Sequence, residues 1–264
     1  MPTLRLWVIK IGGNIIDHPE GLSRFLERFS TLRGNKILVH GGGKIATRTA
    51  AELGVEAKLV EGRRITDEAM LRVVTMVYAG LTNKQIVTGL QKHGCNAIGL
   101  SGADGNSIRT VKRPVKEIDF GFVGDILPGS VDTQTISTLV EGGLTPVFSA
   151  ITHDGHGQLL NTNADTIASA LAVALSSLYD TSLVYCFEKK GVLRDVHDEN
   201  STIPEIRAGE FEQLKASGII ADGMVPKLYN AFDAIGKGVY EVCIGHADDL
   251  HLLREQRFGT RMIK

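Results

Sequence analysis

The chain has 264 residues, with 29 Lys and Arg against 30 Asp and Glu for a formal net charge of -1, and 43% of it is hydrophobic. That composition supports a folded chain with a sizeable core and excludes a disordered one, while near-neutrality argues against a dedicated nucleic-acid surface or a polybasic membrane patch. Glycine stands out at 30 residues, where average usage of about 7% would give about 18.

Leu4–Lys10 is an apolar run ending at Gly12-Gly13, which reads as a buried strand and a glycine turn. Gly21–Arg33 carries apolar residues at 22, 25, 26, 29 and 32, the spacing of a helix. Lys36–His40 is a second strand ending at Gly41-Gly42-Gly43, and Lys44–Leu53 is again helix-like, stopped by Gly54. Strand, glycine turn and helix, repeated, imply a parallel sheet with crossover helices. A long helix is expected from Thr66 or Asp67 as cap to about His93, with Gly80 and Gly89 marking a kink or a break. Asn96–Leu100 reads as a strand, 107–127 as short hairpins, Thr133–Glu141 as a helix and Thr145–Ile151 as a strand. Asp154–Gly157 is a turn and Asn163–Leu178 a small-residue helix. Beyond it come a strand Ser182–Phe187, helices at Glu210–Ser217 and Pro226–Gly236, strands at Val239–Ile244 and Arg261–Ile263, and a helix-like piece Asp248–Arg254. The whole reads as one α/β domain over 1–264 with a mostly parallel central sheet and two lobes divided near residue 180.

Cys95, Cys186 and Cys243 are widely separated, odd in number and without CxxC spacing, so they read as reduced, buried thiols in a cytoplasmic protein. No secretory leader is recognisable, and no apolar run approaches the roughly 18 residues of a membrane span.

Two glycine clusters follow two successive strands. Glycine lets backbone N–H groups approach an anion, and in a parallel sheet the carboxyl ends of the strands are where ligands bind. Lys10 adds a cation at one of those ends. There is no GxGxxG after a strand, no GxxxxGK[ST] and no GxSxG, so a dinucleotide fold, a P-loop and a serine hydrolase lack support. His153-Asp154-Gly155-His156 reads as a hairpin turn rather than a metal site. On their own residues other candidates also have plainer readings: Asp165 as a helix cap, Arg63–Arg64 as a surface pair and Lys10 as a strand-end surface lysine. Lys227, early in a helix, is a poor partner for the helix dipole, which favours a role.

The segments Lys10-Ile11-Gly12-Gly13, His40-Gly41-Gly42-Gly43, Gly62-Arg63-Arg64-Ile65-Thr66, Asn161-Thr162-Asn163-Ala164-Asp165 and Gly223-Met224-Val225-Pro226-Lys227 resemble the amino acid kinase family, and within it the kinases of acylated glutamate. The resemblance runs from the first strand to Gly259-Thr260 and implies a three-layer αβα sandwich. It implies transfer of the ATP γ-phosphoryl group to a side-chain carboxylate, with Lys10 and Lys227 stabilising the transition state and Asp165 holding both lysines. Gly12, Gly13, Gly42 and Gly43 are expected to offer amides to phosphate and carboxylate, Arg64 to clamp the α-carboxylate, and Asn161 to meet the acylated nitrogen. Phe187, Lys189, Ile219, Ile220 and Ala221 are the remaining nucleotide contacts it implies. Mg²⁺ is expected on the nucleotide, with no protein ligand named. The lobe up to about 180 is expected to bind the acyl-amino acid and to dimerise, and the lobe from about 181 to bind ATP.

One segment departs from the family pattern. Phe187-Glu188-Lys189-Lys190-Gly191 stands where an Asp-containing stretch is usual, so nucleotide contacts there are expected to differ. A strand starting by residue 4 leaves no room for the extra helix of the arginine-inhibited hexamers, which implies a homodimer without arginine feedback. The competing readings are a family member with another carboxylate, carbamate or phosphate acceptor, and a nucleotide-binding homologue without catalysis.

Overall fold

The computed structural model describes residues 4–195, 197–220 and 224–264. Its packing gathers the chain into two compact units, Met1–Lys36 with Leu171–Lys264, and Ile37–Ala170. That differs from a linear division near residue 180. The reason is strand pairing: Arg5–Ile11 lies parallel to Asp180–Phe187 in a seven-residue register from Arg5 opposite Asp180 to Ile11 opposite Cys186. The first strand therefore belongs with the C-terminal part of the chain.

In this first unit the strands lie in the order Glu205–Arg207, Thr260–Ile263, Glu241–His246, Asp180–Phe187, Arg5–Ile11. All neighbours are parallel except Glu241–His246 and Thr260–Ile263. Leu6–Ile11 and Thr181–Cys186 are buried along their whole length, as central parallel strands covered on both faces must be. The helix Pro19–Thr31 starts on Pro at its first position and buries Phe25, Leu26 and Phe29. Its end is closed by Lys36, whose Nζ donates to the carbonyls of Phe29, Ser30 and Leu32 at 2.9, 3.0 and 2.6 Å. A cation suits the negative end of a helix, and those carbonyls have no partner further along it.

The second unit stacks Asn35–His40 (from Ile37), Thr145–Phe148 and Ala97–Leu100 in parallel. The helix Gly43–Glu52 and the helix Glu68–Val74 pack over a core that includes Ala46, Ala50, Met70, Val74, Tyr78 and Ile151. Asp67 caps the latter helix by accepting from Met70 N at 2.8 Å. The expected kink near Gly80 takes a different form: Thr75–Thr82 is a π-helical segment that runs directly into the helix Asn83–Lys92. Such wide turns inside helices often occur at functional sites.

Short antiparallel pairs complete the unit. Ile151–His153 pairs with Leu159–Asn161, and Asp154 Oδ1 accepts from His156 N and Gln158 N to close the turn between them. Val111–Lys112 pairs with Gly124–Asp125, held by the Arg113–Asp125 ion pair. Leu59–Val60 pairs with Arg63–Arg64, a hairpin the sequence pattern does not announce. Unit by unit, the strands of the main sheet, parallel but for Glu241–His246 beside Thr260–Ile263, alternate with helices: the α/β class expected. Among the described residues no helix is long and apolar enough to cross a membrane. The three cysteines are free and buried, and burial pushes the Cys186 and Cys243 thiols well up.

Candidate active site

In the first unit, side chains expected to be functional collect at the carboxyl end of the sheet. Lys10 is the next-to-last residue of its strand, opposite Tyr185, and is 9% exposed although charged. Phe187 ends the neighbouring strand, and its ring draws in two ammonium groups. Lys10 Nζ lies 5.4 Å from the ring centroid and Lys227 Nζ 3.8 Å from it. The negative face of an aromatic ring attracts cations, so one ring gathers lysines that are far apart in the chain.

Lys227 sits in the first turn of the helix Val225–Gly236. A cation is unfavourable beside the positive end of a helix, and the Phe187 face offsets that penalty. The lysines expected to act together thus meet on one ring, and neither is a freely solvated surface lysine.

Gly12 plays a different part from the one expected. Its N–H donates to Cys186 O at 3.0 Å, so that amide is already engaged. A Cβ at Gly12 would stand at ordinary contact distance, 3.4 Å from Cys186 O and 3.6 Å from Phe187 Cδ1. Gly13, half-buried, opens the short helix Gly13–Asp17. Lys189 is on an exposed bend two residues beyond Phe187, Ile219 is half-buried and Ile220 buried. Ala221, the last of the expected nucleotide contacts, lies outside the described residues, as does Gly223.

In the second unit, Arg64 organises the site. Arg63 is exposed but Arg64 is 9% exposed, so they are not a surface pair. Arg64 Nη2 donates to Gly43 O at 2.9 Å and to Thr47 Oγ1 at 2.8 Å, while Nη1 lies 3.7 Å from Met70 Sδ. Burial raises the Tyr78 phenol above its ordinary value, and the Arg64 guanidinium beside it pulls the other way. Thr66 Oγ1 donates to Arg64 O at 3.3 Å and accepts from Asn161 Nδ2 at 3.0 Å. Arg64, Gly43 and Asn161 are therefore brought together, with Thr66 as the link.

Gly42 has φ +149° and ψ 29°, a backbone conformation that side-chain-bearing residues rarely adopt. A Cβ there would also meet the Tyr78 ring at 3.1 Å and Thr82 Oγ1 at 3.3 Å. The helix Gly43–Glu52 has no side-chain cap at its N-terminus, which leaves backbone N–H groups to face an anion. Asp165 is half-buried in the first turn of the helix Ala164–Leu175. It is not the cap: Asn163 Oδ1 accepts from Thr166 N at 3.0 Å.

Sequence reasoning missed Thr47, Thr66, Tyr78 and Thr82, the residues that orient Arg64 and crowd Gly42. The π-helical segment that presents Tyr78 and Thr82 leaves no periodic signature to find. Among the described residues no three His, Cys, Asp or Glu side chains cluster to hold a metal.

The chain matches the amino acid kinase family over residues 5–246. It is 55% identical to the acetylglutamate kinase of Bacteroides thetaiotaomicron over 260 residues, covering 98% of this chain and 99% of that protein. It is 53% identical to the acetylglutamate kinase of Cytophaga hutchinsonii over 262 residues, covering 98% of each. Among solved structures, smu.665 from Streptococcus mutans superposes with a TM-score of 0.76 at 26% identity, covering 98% of both chains. The carbamate kinase of Giardia superposes with a TM-score of 0.72 at 13% identity over the full length of both, a likeness of fold. By its match along most of its length and by these relatives, the chain belongs to the amino acid kinase family.

Proposed function

We propose that this protein transfers the γ-phosphoryl group of ATP to the γ-carboxylate of an N-acyl-L-glutamate, giving the acyl-γ-glutamyl phosphate and ADP for arginine biosynthesis. N-acetyl-L-glutamate is the default acceptor and N-succinyl-L-glutamate the alternative. The observation that carries this reading is the 55% identity, over nearly its whole length, to a protein named acetylglutamate kinase. The meeting of Lys10 and Lys227 on Phe187 supports it.

Phosphoryl transfer to a carboxylate brings anions together, so the protein's task is positioning and charge neutralisation. A carboxylate oxygen forms the new bond to the γ-phosphorus as the bond to the β,γ-bridging oxygen breaks, and the electron pair leaves with ADP. No proton needs to move. Lys10 and Lys227 neutralise the transferring group and the leaving oxygen, since a lysine ammonium is a compact point charge suited to phosphate. Asp165 has the role of orienting both lysines. Arg64 binds the α-carboxylate, Asn161 the acylated nitrogen, and the Gly13, Gly42 and Gly43 amides the anions.

Mg²⁺ would arrive on the nucleotide, held by phosphate oxygens and water, where it neutralises phosphate charge. The acyl-amino acid is assigned to the unit Ile37–Ala170, and the nucleotide to the unit containing Phe187, Lys189, Ile219 and Ile220. A cytoplasmic homodimer completes the proposal, and light scattering on a sizing column reads its mass. A coupled ADP-release assay with N-acyl glutamates tests the activity. Turnover only with aspartate, carbamate or a phosphorylated acceptor would replace the substrate, and nucleotide binding without turnover would replace the reading with a non-catalytic one.

A further inference from the structure

The glycine loop after the strand Asn35–His40 is held from behind by a buried polar chain that the chemistry above does not use. His40 is fully buried. Its Nδ1 lies 2.9 Å from Gly41 O, and its Nε2 lies 3.0 Å from Asn83 Nδ2. The Asn83 amide also places Nδ2 2.9 Å from Val147 O, and its Oδ1 accepts from Lys84 Nζ at 3.2 Å. A carbonyl only accepts and an ammonium only donates, so these neighbours fix which end of the amide is which. Asn83 therefore donates to Nε2, which leaves the ring proton on Nδ1, and that N–H donates to Gly41 O.

Gly99 makes room for this arrangement. A Cβ at Gly99 would stand 1.9 Å from Asn83 Oδ1 and 2.7 Å from Lys84 Nζ. The consequence reaches the site through elementary peptide geometry. In a planar trans peptide the C=O and the following N–H point in opposite directions. Holding Gly41 O toward His40 turns the Gly42 N–H the other way, and Gly42 is a residue whose φ of +149° leaves it few restraints of its own.

We infer that His40 and Asn83 are positioning residues for phosphoryl transfer, fixing the Gly41–Gly42 peptide so that the Gly42 amide is preorganised for the anion it binds. This rests on the reading of Gly42 as part of the kinase site. Burial draws the imidazole down to about 4, which keeps it neutral, and its tautomer single, at neutral pH.

The test compares His40→Phe, His40→Asn, Asn83→Ala and the His40→Phe/Asn83→Ala double variant with the wild type, using coupled ADP release with ATP and N-acetyl-L-glutamate. Phe keeps the ring but removes the donor, whereas Asn restores an N–H at the δ position. His40→Phe is expected to lower kcat by about 30- to 100-fold with each KM within about threefold, since misplacing a group by about 1 Å can cost as much. Asn83→Ala should fall similarly, the double variant no further, and His40→Asn should recover about fivefold over the Phe variant. Wild-type kcat in His40→Phe, additive losses in the double variant, or no recovery with Asn would overturn the proposal.

If His40→Phe does not fold, Asn83→Ala and Gly99→Ala carry the same expectation. Nitrogen NMR of the His40 ring in the unliganded wild type gives a readout apart from activity: a proton on Nδ1 is expected, and one on Nε2 overturns the proposal. An inactive wild type with the Nδ1 tautomer would instead sink the kinase reading and with it any role in catalysis, so the failures are told apart.

Discussion

Lys227 Nζ stands 3.8 Å from the centre of the Phe187 ring, the same ring that Lys10 Nζ approaches to 5.4 Å. Phe187 is thus where the two lysines expected to stabilise the transition state converge. Lys10→Ala and Lys227→Ala should each lower kcat by roughly 10²-fold or more, the scale of other lost electrostatic contacts to a transition state. Phe187→Leu removes the ring while keeping bulk, and should lower kcat by about tenfold through loosened lysines. Steady-state kinetics check all three, and wild-type turnover in both lysine variants contradicts the assignment.

Arg64 is fixed on Gly43 O and Thr47 Oγ1, which orders its guanidinium before the proposed α-carboxylate arrives. Arg64→Ala should raise KM for the acyl-amino acid by about 10- to 100-fold and leave KM for ATP within about threefold. Arg64→Lys should rescue little, because a lysine lacks the planar fork. A raised KM for ATP alone would move Arg64 to the nucleotide.

His40 makes stability depend on acidity. Folding takes its imidazole from 6.5 to about 4, because burial penalises the cation; the Gly41 carbonyl opposes this and Lys84 adds to it. Below 6.5 the unfolded chain takes the proton first, so this contribution to stability is complete above 6.5, declines as the pH falls toward 4, and is gone below that. The span corresponds to about 3 kcal/mol. Denaturant unfolding of wild type and His40→Phe across this range measures it, and the variant should have the flatter profile by about that amount. Parallel profiles contradict it.

Glu241 is 2% exposed, and its carboxylate receives Arg5, Ser182 and Arg261. It lies opposite Ser182 in the strand register, whereas Phe187 lies opposite His246 at the other end. Glu241→Ala takes the shared carboxylate from Arg5 and Arg261, which keep some contact with water, and should cost about 2 kcal/mol of unfolding free energy. At about 3.3 Å per residue the strand keeps it well away from the lysines, so kcat should stay within about twofold. Lost turnover without lost stability would contradict this separation.

Much of the architecture was legible because its signals are local. The glycines after Ile11 and His40 sit on strand ends, and the apolar runs before them leave little choice of element. What was not legible depends on distant partners. Nothing local separates buried Arg64 from exposed Arg63, or tells that Asn163 rather than Asp165 caps its helix. Gly12 looks like an anion-binding amide until Cys186, far along the chain, takes its N–H. Nor does anything local tell that pairing with Asp180–Phe187 carries Arg5–Ile11 into the unit with the C-terminal residues. A single buried His40 reads as an ordinary core histidine until Asn83 and Gly99 are seen behind it.

The most direct measurement is ADP release by the purified wild type offered ATP with N-acetyl-L-glutamate, N-succinyl-L-glutamate, aspartate and carbamate in turn, each trapped with hydroxylamine to detect an acyl phosphate. Turnover with an N-acyl glutamate, and a hydroxamate from it, is the result expected. Turnover confined to aspartate or carbamate, or none with any of the four, would contradict it.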